Sequence, residues 1–138
     1  MYALDLDRSS QAHFAVFTGQ HQHQDAPILK AQSYLEQHYR EAISLDALAA
    51  FVHMGKRNFI RRFKAATNNT PIEYLQRVRI EFAKKAIESN NQHLASILEE
   101  SGYGDEKTFR AIFKRITGLS PLEYKKKYAR HVTPRPDA

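Results

Sequence analysis

Arg57 and Arg61 stand one helical turn apart in the run GKRNFIRRFK, with Lys56 just ahead of them. A guanidinium can donate two parallel hydrogen bonds to the N7 and O6 edge of guanine, so two arginines on one helix face have the chemistry to read bases in a major groove. Their neighbours decide whether they share a face. Phe59, Phe63 and Ala66 recur at helical spacing, and at about 100° per residue burying these three turns Arg57 and Arg61 outward with Lys64 beside them. A lone basic residue on a helix is ordinarily a solvated charge, but this placement occurs twice. Further along, burying Phe109, Phe113 and Ile116 leaves Lys107 and Ala111 outward, flanked by Glu106 and Arg110. Ala111 stands where Arg61 stands and offers only an apolar contact, such as to a thymine methyl. Glu106 can accept from cytosine or repel phosphate. The two candidate readers are unequal, and the first is expected to carry more of the specificity.

The recurrence belongs to a longer repeat. Residues 59–77, FIRRFKAATNNTPIEYLQR, align without a gap on residues 109–127, FRAIFKRITGLSPLEYKKK, with seven of nineteen pairs identical: Phe59/Phe109, Phe63/Phe113, Lys64/Lys114, Thr67/Thr117, Pro71/Pro121, Glu73/Glu123 and Tyr74/Tyr124. Such a repeat marks one supersecondary unit used twice. Each copy ends in a capping box with proline at the first helical position, Thr70-Pro71-Ile72-Glu73 and Ser120-Pro121-Leu122-Glu123. The N–H groups at a helix start favour a phosphate. Thr70 and Ser120 are therefore expected beside a nucleic-acid backbone, together with Arg62, Lys64, Thr108 and Lys114.

The elements that must hold these residues follow from periodicity. Residues 1–27 show no sustained period, are rich in Gln, His, Ser and Asp, and read as a linker or arm. Pro27 opens a helical pattern through Ile28, Ala31, Gln32, Leu35 and Tyr39. Ser44 is a good N-cap for a short helix carrying Leu45, Leu48, Ala49 and Val52, which Gly55 should break. A third helix runs over about 56–67 and ends in the turn Asn68-Asn69. The fourth starts sharply at its capping box and carries Ile72, Leu75, Val78, Phe82, Ala86 and Ile87 to about Ser89, some 19 residues and ~28 Å, a stiff connector. Leu94, Ile97 and Leu98 mark a short helix stopped by Gly102, and Asp105 caps the next. A last helix should end near Arg130, before a disordered tail, HVTPRPDA. No strand pattern appears, so the expected fold is all-α. A short helix, a tight turn and a second helix, at 44–67 and again at 94–117, is the layout of a helix-turn-helix pair.

Composition excludes much else. A length of 138 residues with 42% hydrophobic content suffices for one compact unit or two small lobes. There is no cysteine, which rules out disulfides, thiolate zinc sites and thiol nucleophiles. The chain offers no Gly-rich phosphate loop and no Ser-His-acid set, so it reads as no enzyme, with no catalytic residue and no cofactor. His21 and His23 sit on a Gln-rich arm and read as solvated linker rather than metal ligands. No apolar run approaches the ~20 residues of a membrane span, and the first residues lack the regions of a signal peptide, so a cytoplasmic protein is expected. The formal charge of +6 is uneven: residues 1–26 sum to −2, whereas residues 27–131 hold 19 basic and 11 acidic side chains. A basic domain attracts polyanions and gains from counterion release.

The run ISLDALAAFVHMGKRNFIRRFKAATNNTPIEYLQRVRIEFAKKAI, followed by ESGYGDEKTFRAIFKRITGLSPLEYKKKY, resembles the DNA-binding domain of the AraC/XylS family of transcription regulators. The segment from Gly102 to Tyr124 carries the family's most specific pattern, and the likeness covers residues 28–130. It implies a seven-helix bundle of two helix-turn-helix subdomains joined by a long linker helix, with two recognition helices entering successive major grooves on one face of double-stranded DNA. The implied domain is 28–131, divided into 28–70, the linker helix 71–90 and 91–131, with 132–138 as a flexible tail. Base reading then falls to Lys56, Arg57, Arg61, Glu106, Lys107, Arg110 and Ala111. Two features depart from the pattern: Gly55 stands where a Ser or Thr cap is commoner, and Asp105 and Glu106 put negative charge early in the second reader. Family members contact RNA polymerase. DRSSQAHF and QHQHQDAPI resemble the connector of regulators with a DJ-1/PfpI-like, amidase-like domain, which implies an N-terminal sensor and dimerisation domain; the alternative is a stand-alone regulator. A competing reading is a protein-interaction module that contacts RNA polymerase or a partner regulator with only nonspecific DNA affinity. RNA binding is weaker, because the outward faces lack stacking aromatics.

Overall fold

The computed structural model describes residues 20–90 and 92–129, and among these the chain forms seven α-helices and no strand. They are α1 (Ala26–His38), α2 (Leu45–Phe51), α3 (Lys56–Thr67), α4 (Pro71–Ser89), α5 (Leu94–Glu100), α6 (Glu106–Thr117) and α7 (Pro121–Tyr128). The expectations for residues 1–19 and for the tail lie outside the described residues. Among the described residues no helix is long and apolar enough to cross a membrane.

Local chemistry sets most helix starts. The Ser44 hydroxyl accepts from the Ala47 N–H, and the Asp105 carboxylate accepts from that of Thr108. Both capping boxes are complete: Thr70 accepts from the Glu73 amide while Glu73 accepts from the Thr70 amide, and Ser120 and Glu123 do the same. One boundary differs from expectation. Gly55 does not break α2; His53 does, in the left-handed region at φ 60°, with its N–H donating to the Ala50 carbonyl. Gly55 has an ordinary extended backbone at φ −67° and begins α3 without a side-chain cap.

Two cores form, and α4 belongs to both. The first gathers Ile28, Ala31 and Leu35 of α1, Leu48 and Ala49 of α2, Phe59 and Phe63 of α3, and Tyr74, Leu75 and Val78 of α4. The second gathers Ile80, Phe82, Ala83, Ala86 and Ile87 of α4 with Ile97, Tyr103, Phe109, Phe113 and Tyr124. Ten of the nineteen residues of α4 are buried, so it is a shared wall rather than a bare spacer. The repeat also reaches further back than residue 59. Ile28, Ala31, Leu35 and Glu36 correspond in type and burial to Ile80, Ala83, Ile87 and Glu88, so the second half of α4 serves the second unit as α1 serves the first.

The identical pairs are mostly scaffold. Tyr74 meets Phe63 edge-on at 5.4 Å, and Tyr124 meets Phe113 at 5.4 Å. Each tyrosine hydroxyl donates to the matching carboxylate, Tyr74 to Glu36 and Tyr124 to Glu88. Burial, reinforced by those carboxylates, pushes both phenols well above their ordinary range. Thr67 Oγ1 lies 2.9 Å from the Phe63 and Asn69 carbonyls, as Thr117 Oγ1 does from those of Phe113 and Leu119. Of the seven identical pairs, Lys64/Lys114 alone is exposed in both copies.

The end of the arm is packed, contrary to the reading of His21 and His23 as solvated linker. Gln32 is fully buried, and a buried amide needs partners that an apolar core cannot give. It donates to the Gln20 carbonyl at 3.0 Å and the Tyr74 hydroxyl at 3.2 Å, and its Oε1 lies 2.7 Å from His23 Nε2. His21 Nε2 is 2.7 Å from Glu36 Oε2. Residues 20–25 thus complete the polar side of the first core.

Candidate nucleic-acid interface

Two helices present charge to solvent on a rigid apolar backing. Phe59 and Phe63 anchor α3 and are fully buried, while Lys56, Arg57, Arg61 and Lys64 are exposed on its other side. Phe109 and Phe113 anchor α6, leaving Glu106, Lys107, Arg110, Ala111 and Lys114 exposed. Because residues 57, 61, 64 and 68 fall within about 60° of one another around a helix, the outward stripe of α3 runs down to Asn68. The corresponding stripe of α6 is Lys107, Ala111 and Lys114, with Arg115 on its flank. The C-terminal ends of the two helices border one cleft of about 260 Å³, lined by Lys64, Asn68, Asn69, Glu73 and Arg77 from the first unit and by Arg115 and Ile116 from α6. Arg115 also donates to Gln76 Oε1 at 2.5 Å, tying α6 to the first half of α4.

The side chains differ in how free they are. Among the described residues, Arg57 and Lys107 make no side-chain hydrogen bond or ion pair. Arg61 donates to Asn58 on its own helix, Lys56 Nζ is 3.5 Å from Asp46, and Lys64 Nζ is 3.8 Å from Glu73. These exposed contacts are weak and yield readily to a stronger acceptor. Glu106 and Arg110 pair with each other one turn apart, so their charges largely cancel at the start of the second reader. Helix α3 has five basic and no acidic residues, against four and one in α6, which sharpens the inequality of the two faces.

Several residues expected at the backbone are already engaged. Arg62 is held by Asp25, with Nε at 3.0 Å and Nη2 at 2.6 Å from its two carboxylate oxygens, which raises the guanidinium pKa. A phosphate contact by Arg62 requires that pair to open. Thr108 gives both its amide and its hydroxyl to Asp105. The Thr70 and Ser120 hydroxyls accept amide hydrogens at 3.1 Å and also interact with the Glu73 and Glu123 carboxyls, so a phosphate would have to compete for their hydrogens. Proline at the first position has no N–H, and the box takes the Thr70 and Glu73 amides. The Ile72 amide, and by the same argument that of Leu122, is the first-turn donor that the box leaves available. The box hydrogen bonds, with the neighbouring lysines, hold the Glu73 and Glu123 carboxyls below the usual carboxylate range.

Sequence reasoning passed over Asn68, Asn69, Arg77 and Arg115. The signal for Arg115 was its place next to Lys114 on the flank of the outward stripe; Arg77 has none, because the cleft exists only once α6 packs against α4. Among the described residues, no group of three or more His, Asp or Glu is gathered to hold a metal ion.

Comparisons with known proteins follow the same outline. A family model described as a helix-turn-helix domain matches residues 48–127. The MmsAB operon regulatory protein of Pseudomonas aeruginosa is 34% identical over 95 residues, 69% of this chain and 31% of that protein. A putative AraC-like transcription regulator of Streptomyces antibioticus is 30% identical over 102 residues, 74% of this chain and 34% of its own length. Among solved structures, the DNA-binding domain of AdpA, a global transcriptional factor crystallised with a target DNA, superposes with a TM-score of 0.68 at 27% identity, covering 74% of this chain and 92% of that one. The chain spans about a third of the length of the curated relatives it matches.

Proposed function

The chain belongs to the AraC-type helix-turn-helix family, and from that premise we propose that it binds duplex DNA sequence-specifically and regulates transcription, laying α3 and α6 into successive major grooves of a promoter site. The observation that carries this reading is one Phe-Phe-Tyr scaffold used twice, each copy holding an exposed charged stripe, Arg57, Arg61 and Lys64 on α3 and Lys107, Ala111 and Lys114 on α6. A rigid backing matters because bidentate base contacts need the guanidinium held in place before binding.

In this reading Arg57 and Arg61 take guanine edges and Lys56 takes a base or phosphate. Lys107 and Ala111 read the second box, and Glu106 and Arg110 contribute there only by exchanging their mutual pair for base contacts. Lys64, Lys114, Thr70 and Ser120 hold the backbone, and Thr108 joins them only by releasing Asp105. Residues 28–131 form the binding domain, acting in the cytoplasm. The proposed protein partners are RNA polymerase and an N-terminal sensor and dimerisation domain. A groove lined by Tyr34, Ile43, Ala47 and Phe51, whose Phe51 is 40% exposed, supports a protein partner on the first unit.

Binding of the native chain and single variants to a selected duplex and a scrambled one tests the assignment. Arg61→Ala should cost about 1–3 kcal/mol on the selected duplex and little on the scrambled one. Lys107→Ala should cost less. A larger loss from Lys107→Ala, or equal losses from Arg61→Ala on both duplexes, contradicts the assigned roles.

A further inference from the structure

Arg79 lies at the point where α4 passes from one core to the other, between Val78 of the first and Ile80 of the second. The last carbonyls of a helix have no partner within it. Arg79 donates from Nε to the carbonyl of Tyr39, the C-cap of α1, at 2.7 Å, and from Nη2 to that of Glu41 in the turn beyond it at 3.0 Å. The same guanidinium lies 5.2 Å over the ring of Tyr103, in the turn that leads into α6. Gly102 makes this approach possible. Its φ is 94°, and a Cβ there would sit 2.5 Å from the Tyr39 carbonyl oxygen and 2.9 Å from Arg79 Nε. Around this point Tyr39 packs against both cores, with its ring 5.6 Å from that of Phe82, and the Arg40 guanidinium lies 5.5 Å over Phe82.

One side chain therefore touches the end of α1, the shared helix and the turn before the second reader. Its planar fork makes both carbonyl bonds while the guanidinium lies over an aromatic ring, a combination lysine cannot reproduce. None of these groups lies on the outward stripes of α3 or α6. We propose that Arg79, seated by Gly102, is a positioning residue that fixes the spacing and angle of the two reading helices, and so dictates how many base pairs separate the two boxes of a site. This rests on the two-groove reading above.

The consequence is one of effective concentration. Once the first reader is seated, a fixed second reader meets its box at high local concentration, and a loosened one samples many positions. Loss of the junction should leave the affinity for an isolated first box unchanged. It should lower affinity for the two-box site on the order of tenfold and flatten the dependence on spacer length.

The experiment measures affinity of the native chain, Arg79→Gln, Arg79→Lys and Gly102→Ala for a selected two-box duplex, for the same duplex with one base pair added or removed between boxes, and for the first box alone. Far-ultraviolet circular dichroism checks that each variant is folded. The native chain should prefer its own spacer strongly. Arg79→Gln should bring that preference close to one with single-box affinity held within about twofold, and Arg79→Lys should fall between. Gly102→Ala, which keeps every hydrogen-bonding group, should flatten the preference or move it to a different spacer. If Arg79→Gln does not fold, Arg79→Lys and Gly102→Ala decide by the same ratio. Variants that retain the native spacer preference overturn this inference alone. A native chain with no spacer preference overturns the two-groove reading, and this inference with it.

Discussion

Replacing Asp25 with asparagine should tighten DNA binding by releasing a cation on the first reading helix. Asp25 takes both Arg62 Nε and Nη2, yet the two side chains remain 21% and 37% exposed. A partly solvated pair of this kind contributes under about 1 kcal/mol, so Asp25→Asn, which keeps the side-chain shape, should lower stability by no more than that. The effect on DNA should be larger in its salt dependence than in its size. One additional phosphate contact steepens the slope of log K against log salt by about 0.9, which over a fourfold change in salt is roughly a 3.5-fold change in affinity. Fluorescence-anisotropy titrations of a labelled duplex at several salt concentrations give the slope, and urea unfolding gives the stability. Removing a negative charge near DNA also strengthens binding without any help from Arg62, so the measurement needs a cycle with Arg62→Gln. The reasoning predicts that Asp25→Asn steepens the slope in the native background and leaves it nearly unchanged with Gln at position 62. An equal change in both backgrounds, or none in either, refutes it.

Two further outcomes follow from the helix starts. Thr70→Ala removes the hydroxyl that accepts the Glu73 amide and should destabilise the chain by about 1 kcal/mol in urea unfolding, while Thr70→Ser should cost little. The carboxyls of Glu73, Asp105 and Glu123 sit below their ordinary values, chiefly through hydrogen bonds from Thr70, Thr108 and Ser120. Their folded pKa values lie below the unfolded ones, so their contribution is complete above about pH 5 and is lost as pH falls through the folded values. The urea midpoint should stay level from neutral pH to about 5 and then drop, and the drop should be shallower in Glu123→Gln.

Much of this architecture was legible because its signals are local. Pro71 with Thr70 and Glu73 marks the start of α4, and the apolar period runs unbroken to its end at Ser89, so both limits could be read directly. The buried phenylalanines and the outward arginines followed from one period on each helix. The limit of α2 was not legible, because histidine and glycine both tolerate the left-handed region and the sequence gives no reason to choose His53 over Gly55. The likeness of α1 to the second half of α4 was hidden by length: the stretch from Glu36 to Phe59 is two residues longer than that from Glu88 to Phe109, so an ungapped comparison stops short. The docked arm left one trace, a glutamine at a core position of α1, whose partners only the folded chain identifies. The pairs Arg62 with Asp25 and Arg79 with Tyr39 join residues roughly 40 apart, and no periodicity reports contacts of that range.

Selection of binding sites from random duplex DNA by this chain alone, at physiological salt, tests the central claim most directly. The account predicts enrichment of two unequal boxes whose centres lie about 10 base pairs apart, one turn of the duplex, with guanines prominent in the box read by Arg57 and Arg61. Enrichment of a single box, of two boxes with no fixed spacing, or of no sequence at all would contradict it.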